Sequence, residues 1–220
     1  MNRHFDDELG ELKERLLYMA SVVESMINYA VKSLVERKEE LIKEVYTHET
    51  EVNNIQVEID DKCLKLIALH QPTATDLRFI TSAMKINAEL ERMGDQAVNI
   101  ADAGAKLLKQ PPLKPLIDTP RMAEIAKKMV KDSLDSFVKK DLELAKLVLK
   151  TDDEVDDLKD QIFRELLTYM SADPANISRA LELILISRHL ERIGDHATNI
   201  AEDVIFLVAG KDVRHHIHDL

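Results

Sequence analysis

The chain has 220 residues, enough for one large domain or two small ones with a real core. Its formal charge of −11 points away from nucleic acid, whose phosphates call for a basic face, and is compatible with cations or basic protein patches. The single cysteine, Cys63, excludes an internal disulfide framework and fits a reducing compartment.

The opening "MNRHFDDELGELKERL" lacks the apolar stretch of a secretion signal, and no run approaches about 18 uninterrupted apolar residues. A cytoplasmic protein without a membrane span is the expectation. Apolar residues recur at spacings of three and four from Leu9 through Leu16, Val23 and Ile27 to Leu34, predicting a first helix from Asp6 to Arg37. A second is predicted from Glu39 to Leu69 and a third from Thr75 to Leu108. "KQPPLKPLIDTP" then holds four of the six prolines, and no helix crosses it. The pattern restarts at Arg121, breaks near Lys140, resumes to Met170, breaks at "SADP" and runs from Ala175 to Ala209.

The two halves repeat each other. At an offset of 103, Met19 matches Met122, Met26 matches Met129 and "TEVNNI" from Thr50 matches "DEVDDL" from Asp153. Beyond the loops at Pro72 and Pro174 the offset becomes 100, implying three extra residues in the first loop. A duplicated supersecondary unit with short connections reads as an antiparallel bundle. The sequence therefore predicts an all-α protein of two tandem antiparallel three-helix bundles, residues 1–110 and 121–220, joined by a proline-rich linker at 111–120.

"LERMGDQAVNIAD" from Leu90 returns as "LERIGDHATNIAE" from Leu190, with nine of thirteen letters identical. At about 100° per residue, Gly94 falls on the buried stripe while Glu91, Asp95 and Asp102 form a carboxylate row along its edge. Glu191, Asp195 and Glu202 form the equivalent row. Like charges at i, i+4 and a glycine inside a helix both carry a penalty, and both recur in the second copy, which calls for a compensating gain.

The preceding helix suggests that gain. Asp95 and Glu49 each stand 23 residues from Pro72, and Glu91 and Asn53 each stand 19 from it. Counted from Asp173, Asp195 pairs in height with Asp152, and Glu191 with Asp156. Each bundle would gather four oxygen-bearing side chains at one level. Such clusters repel unless protonated or bridged by cations, and carboxylate-rich sets suit hard cations, iron or manganese.

Blander readings stand beside this one. One Glu-Arg pair in a helix is ordinarily a solvated surface pair; two copies with facing acids weigh against it. Gly94 and Gly194 are also readable as small packing residues. Arg92 and Arg192, on the outer face, are surface arginines or partner contacts. His189 and His196 have no histidine counterpart in the first copy and read as surface residues. The tail "RHHIHDL", with His215, His216 and His218, reads as a weakly docked tail in preference to a metal site. Nucleotide-binding glycine loops, HExxH and GxSxG are absent, and no glutamate has a histidine three residues on, as di-iron bundles require.

The paired "ERMGD" and "ERIGD", the loop "QPTATDLR" from Gln71 to Arg78 and the duplicated layout resemble the PhoU family, over nearly the whole chain. The family's E/D-x-x-x-D motifs match Glu91 with Asp95 and Glu191 with Asp195. Its partner motif matches Asp152 with Asp156 and Glu49 with Asn53, where Asn53 departs from the acidic pattern. The resemblance implies a cytoplasmic, commonly dimeric negative regulator of the phosphate-starvation response that also modulates phosphate uptake. Its partners would be the ATPase subunit of the phosphate ABC transporter and a phosphate-sensing histidine kinase. It also implies clusters of metal ions, iron or zinc among them. A non-enzymatic adaptor docking through acidic, metal-carrying faces is the reading preferred. A metal-dependent phosphohydrolase and a plain helical scaffold are the alternatives.

Overall fold

A computed structural model describes residues 2–210. Every long element among them is a helix: α1 Asn2–Glu36, α2 Glu40–His70, α3 Ala74–Leu108, α4 Asp118–Lys139, α5 Leu142–Ala172 and α6 Ile177–Ala209, with one 3-10 turn at Pro174–Asn176. The all-α, duplicated three-helix plan is therefore the fold of the chain. The histidines of the "RHHIHDL" tail lie outside the described residues.

α4 begins at Asp118, three residues before the predicted restart at Arg121. Pro120 is no obstacle there, because the first-turn N–H groups of a helix have no intrahelical acceptor to lose. At the other end of the hairpin, Asp141 stops one helix and starts the next. Its Oδ1 accepts from the backbone N–H of Glu143 at 3.0 Å and of Leu144 at 3.1 Å, a side-chain N-cap for α5.

The duplication reaches down to the turns. α1 runs out into Arg37 and α4 into Lys140, both left-handed at φ 54° and 103 positions apart. In each turn the residue after the left-handed one donates its N–H five residues back: Lys38 to Ser33 O at 3.0 Å, Asp141 to Ser136 O at 2.9 Å. This closure satisfies carbonyls that the helix end would otherwise leave bare. A non-glycine residue pays about 1 kcal/mol or more for that conformation. Arg37 offsets it: its Nη2 donates to Leu108 O and Gln110 O, both at 2.7 Å, which pins the end of α3 and the start of the linker.

The two bundles share one core. Buried apolar residues from all six long helices form a single cluster, from Leu12 and Met26 through Ile86 and Leu90 to Met129, Leu190 and Ile200. Antiparallel α3 and α6 lie at its centre, α4 runs against α1, and Phe79 of α3 stacks on Phe137 of α4 at 4.9 Å between centroids. The proline-rich segment is laid onto this body. Arg179 donates to Pro111 O at 3.1 Å, Lys114 pairs with Glu165, and Leu113 and Leu116 pack against the core. Cys63 is fully buried, and burial pushes its thiol up to about 12, so it serves as a small apolar residue.

The turns give a contrast that denaturation can measure. Lys140→Gly removes a left-handed side chain from an exposed site and is expected to stabilise by about 0.5–1 kcal/mol. Arg37→Gly relieves the same strain but forfeits both guanidinium bonds, so it is expected to gain nothing or to destabilise. Equal gains from both would show that the bonds to Leu108 and Gln110 carry no stability.

Candidate carboxylate site

The second half assembles its four acids. Asp152 and Asp156 project from α5 toward Glu191 and Asp195 of α6, as their equal heights above the turn require. Burial, then the charges of Asp195 and Asp156, push the Asp152 carboxyl up to about 7 from its ordinary 3.8. Burial, then Glu191 and Asp156, also raise Asp195. Lys159 stands among them. Its Nζ donates to Asp156 Oδ1 at 2.8 Å and to Glu191 Oε1 at 3.3 Å, and these bonds, the Asp156 one foremost, raise its pKa.

Gly194 makes room for this cluster. A Cβ added there would lie 2.9 Å from Asp152 Oδ1 and 3.6 Å from both Met129 and Val155. A side chain at that position would push Asp152 out of line. Gly94 meets no such carboxylate: its added Cβ would find Val52 at 3.5 Å and Met26 at 3.7 Å, ordinary packing distances. The two glycines thus occupy equivalent places for different present reasons.

The first half groups its acids otherwise. Burial and then the charge of Asp95 raise Glu91. On the neighbouring helix, the Tyr46 hydroxyl donates to Asp102 Oδ1 at 2.6 Å. That bond, with burial and the charges of Asp102 and Glu49, pushes Tyr46 up to about 12. Glu49 lies near enough for its charge to act on Tyr46, and Asn53 is exposed on α2. Tyr46 was not among the residues that the sequence marked, and its counterpart in the second half is Leu149. Among the described residues, no three carboxylate, imidazole or thiolate groups already converge as a metal cage.

The remaining marked residues lie along the seam where α3 crosses α6. His196 Nδ1 is 2.7 Å from Glu89 Oε2, and His189 Nδ1 is 2.8 Å from Gln96 Oε1. These two contacts are images of each other under the 100-residue offset, so the repeated strings meet across a pseudo-twofold axis. The reading of both histidines as surface residues is corrected here: they are part-buried in the seam, because the bundles pack against each other and do not stand apart. Burial, followed by the charges of Arg192 and Arg188, lowers His189. Burial pulls Glu89 upward, but hydrogen bonds from His196 and Asn199 outweigh it and hold the carboxyl below its ordinary range. Arg92 Nη1 donates to the other oxygen of Glu89 at 3.0 Å, while Arg192 is exposed. Glu202 lines a cleft of the same seam with Lys85, Glu89, Arg92 and Asp203, and Lys85 bonds Asp203 at 2.8 Å.

Two measurements test this geometry. Asp152 is protonated more readily in the folded protein than in the unfolded chain, so its contribution to stability is fully present below pH 3.8 and is lost as pH rises through about 7. In chelator-treated protein, Asp152→Asn should equal wild type near pH 4 and exceed it above pH 7, by roughly 1–2 kcal/mol. Parallel stability curves would show that Asp152 feels no such crowding. The glycines should separate as well. Gly94→Ala is expected to gain up to about 1 kcal/mol of helix propensity, whereas Gly194→Ala collides with Asp152 and should lose that gain.

The chain is similar to proteins of one kind along almost all of its length. The PhoU domain model matches residues 16–104 and again 119–204, one match per half. The phosphate-specific transport system accessory protein PhoU homolog of Aquifex aeolicus is 46% identical over 208 residues, covering 94% of each chain. The homolog of the same name from Pseudomonas putida is 39% identical over 216 residues, 98% of this chain and 84% of its own. The crystal structure of PhoU from Pseudomonas aeruginosa superposes with a TM-score of 0.90 at 38% identity, over 94% of this chain and 100% of that one. The phosphate transport system regulatory protein PhoU of Streptococcus pneumoniae gives 0.86 at 28% identity, over 95% and 99%. With both halves matched, and with a relative 46% identical over 94% of each chain, this chain belongs to the PhoU family.

Proposed function

We propose that this protein is a non-enzymatic, cytoplasmic regulator of phosphate-specific transport that restrains the phosphate-starvation response. It acts as a metal-binding adaptor, as a homodimer, on the ATPase subunit of the phosphate ABC transporter and on its sensor kinase. The names of its relatives support the link to phosphate transport. Among the described residues no helix is long and apolar enough to cross a membrane, and in this reading membrane association runs through partners.

The observation that carries the adaptor reading is the gathering of Asp152, Asp156, Glu191 and Asp195 between α5 and α6, where burial first and the neighbouring charges second push Asp152 up to about 7. The donor set suits a metal in its chemistry: four carboxylates whose mutual repulsion a cation would relieve. Iron or zinc is the expected ion, and Glu49, Asn53, Glu91 and Asp95 form the weaker counterpart, with Asp102 and Glu202 as further oxygen donors. A bound ion would offset part of the negative charge of this face and give it a fixed cationic centre for docking. The protein's own part is to fix the carboxylates: Gly194 leaves space for Asp152, and the shared core sets the height of α5 against α6. Arg92, tied to Glu89, and exposed Arg192 flank the seam and are the partner contacts of this reading.

Elemental analysis of native protein, with pull-down of the transporter ATPase subunit and the kinase, tests it. Wild type should retain iron or zinc and both partners. Asp152→Asn combined with Glu191→Gln should lower metal content by at least half and weaken capture. Unchanged metal in that variant would show the ligand set to be wrong. Steady phosphoester hydrolysis by metal-loaded protein, abolished by Asp195→Ala, would replace the adaptor with a phosphohydrolase.

A further inference from the structure

The halves differ at three linked positions of the helix that precedes each motif. The first half has Asn53, Gln56 and Val57; the second has Asp156, Lys159 and Asp160. Counting Glu49, Asn53, Gln56, Glu91 and Asp95 against their five counterparts, both sets carry a formal charge of −3. The first reaches it with three carboxylates and two amides, the second with four carboxylates and one ammonium. Within this set, the carboxylate that the second half adds, Asp156, comes with its own cation, Lys159, while Asp160 outside the set adds a further acid.

The geometry puts that cation inside the cluster. Lys159 Nζ lies 2.8 Å from Asp156 Oδ1 on its own helix and 3.3 Å from Glu191 Oε1 on the next, with its side chain 25% exposed. It joins α5 to α6 where a bridging ion would. Asp160 Oδ1, 3.9 Å from the ammonium, belongs to a side chain 65% exposed and so points toward water.

We infer that Lys159 is a tethered counter-ion for the second carboxylate cluster, and that a metal ion enters there only by displacing its ammonium. This rests on the reading that the cluster takes a metal. Two cations cannot share one set of carboxylates without repelling each other, so the ammonium and the ion compete for Asp156 and Glu191. Asp160, which the first half lacks, gives the displaced ammonium a solvated partner. Lys159 holds the acids together in the metal-free protein and sets the ion concentration at which the second half loads. The first half, with Gln56 in that place, has no such threshold.

Manganese titration of the chelator-stripped full-length chain tests this, with Glu91→Gln and Asp95→Asn introduced to silence the first half. Adding Lys159→Gln should tighten manganese binding by at least tenfold, and adding Lys159→Arg should not. Without metal, Lys159→Gln should lower the melting temperature, and saturating manganese should restore it. A further Asp152→Asn should abolish the tightened binding, placing the ion in this cluster. Manganese binding that is measurable but equal or weaker in Lys159→Gln would overturn the displacement while leaving the metal reading intact. No binding by any variant or by wild type would overturn the metal reading, and the displacement with it.

Discussion

The antiparallel crossing of α3 and α6 is the constraint on which the structure rests. Each of these helices is buried along much of its length, through Ile86, Leu90, Met93 and Ala97 in one and Ile186, Leu190, Ile193 and Ala197 in the other. Neither three-helix unit can cover that much apolar surface alone, so the units bury it against each other and against α1 and α4. The same crossing sets Glu89 opposite His196 and Gln96 opposite His189.

Once the core has fixed these heights, the backbones of α5 and α6 hold the acids near one another. Asp152 and Asp195 sit on helices held by Val148, Val155 and Leu158 on one side and by Ile193 and Ala197 on the other. Moving the two helices apart would disturb that packing, although the exposed Asp156 and Asp195 side chains keep rotamer freedom. The repulsion is instead answered locally: Asp152 takes up protons near neutral pH, and Lys159 brings an ammonium to Asp156 and Glu191. Hydrophobic burial thus imposes a crowded anionic site, and the raised Asp152 carboxyl is one consequence.

The duplication shows which features follow from the shared backbone and which from individual side chains. Turn geometry, the left-handed residues at Arg37 and Lys140, and the burial of the repeated strings are common to both halves. Their acid chemistry is not. Tyr46 bonds Asp102 in the first half, where the second has leucine, and Lys159 occupies the second, where the first has glutamine. Gly194 is needed beside Asp152, while Gly94 faces only Val52 and Met26. One backbone plan therefore supports two unequal sites.

The sequence by itself determined the helices, their order and the duplication. Apolar spacing near 3.6 and proline placement are local properties that survive without tertiary context. It also determined the facing of Asp152 with Asp195, because helix rise and a short turn leave one possible register. The tertiary structure alone decided that the two bundles merge into one core, which turned His189 and His196 from surface residues into members of the seam. It alone decided that Lys159, and no neighbouring lysine, reaches across to Glu191. Such choices depend on which exposed rims of the bundles come together and on the rotamer of a long side chain. Neither leaves a periodic trace in the sequence, because each is settled by packing between segments far apart along the chain.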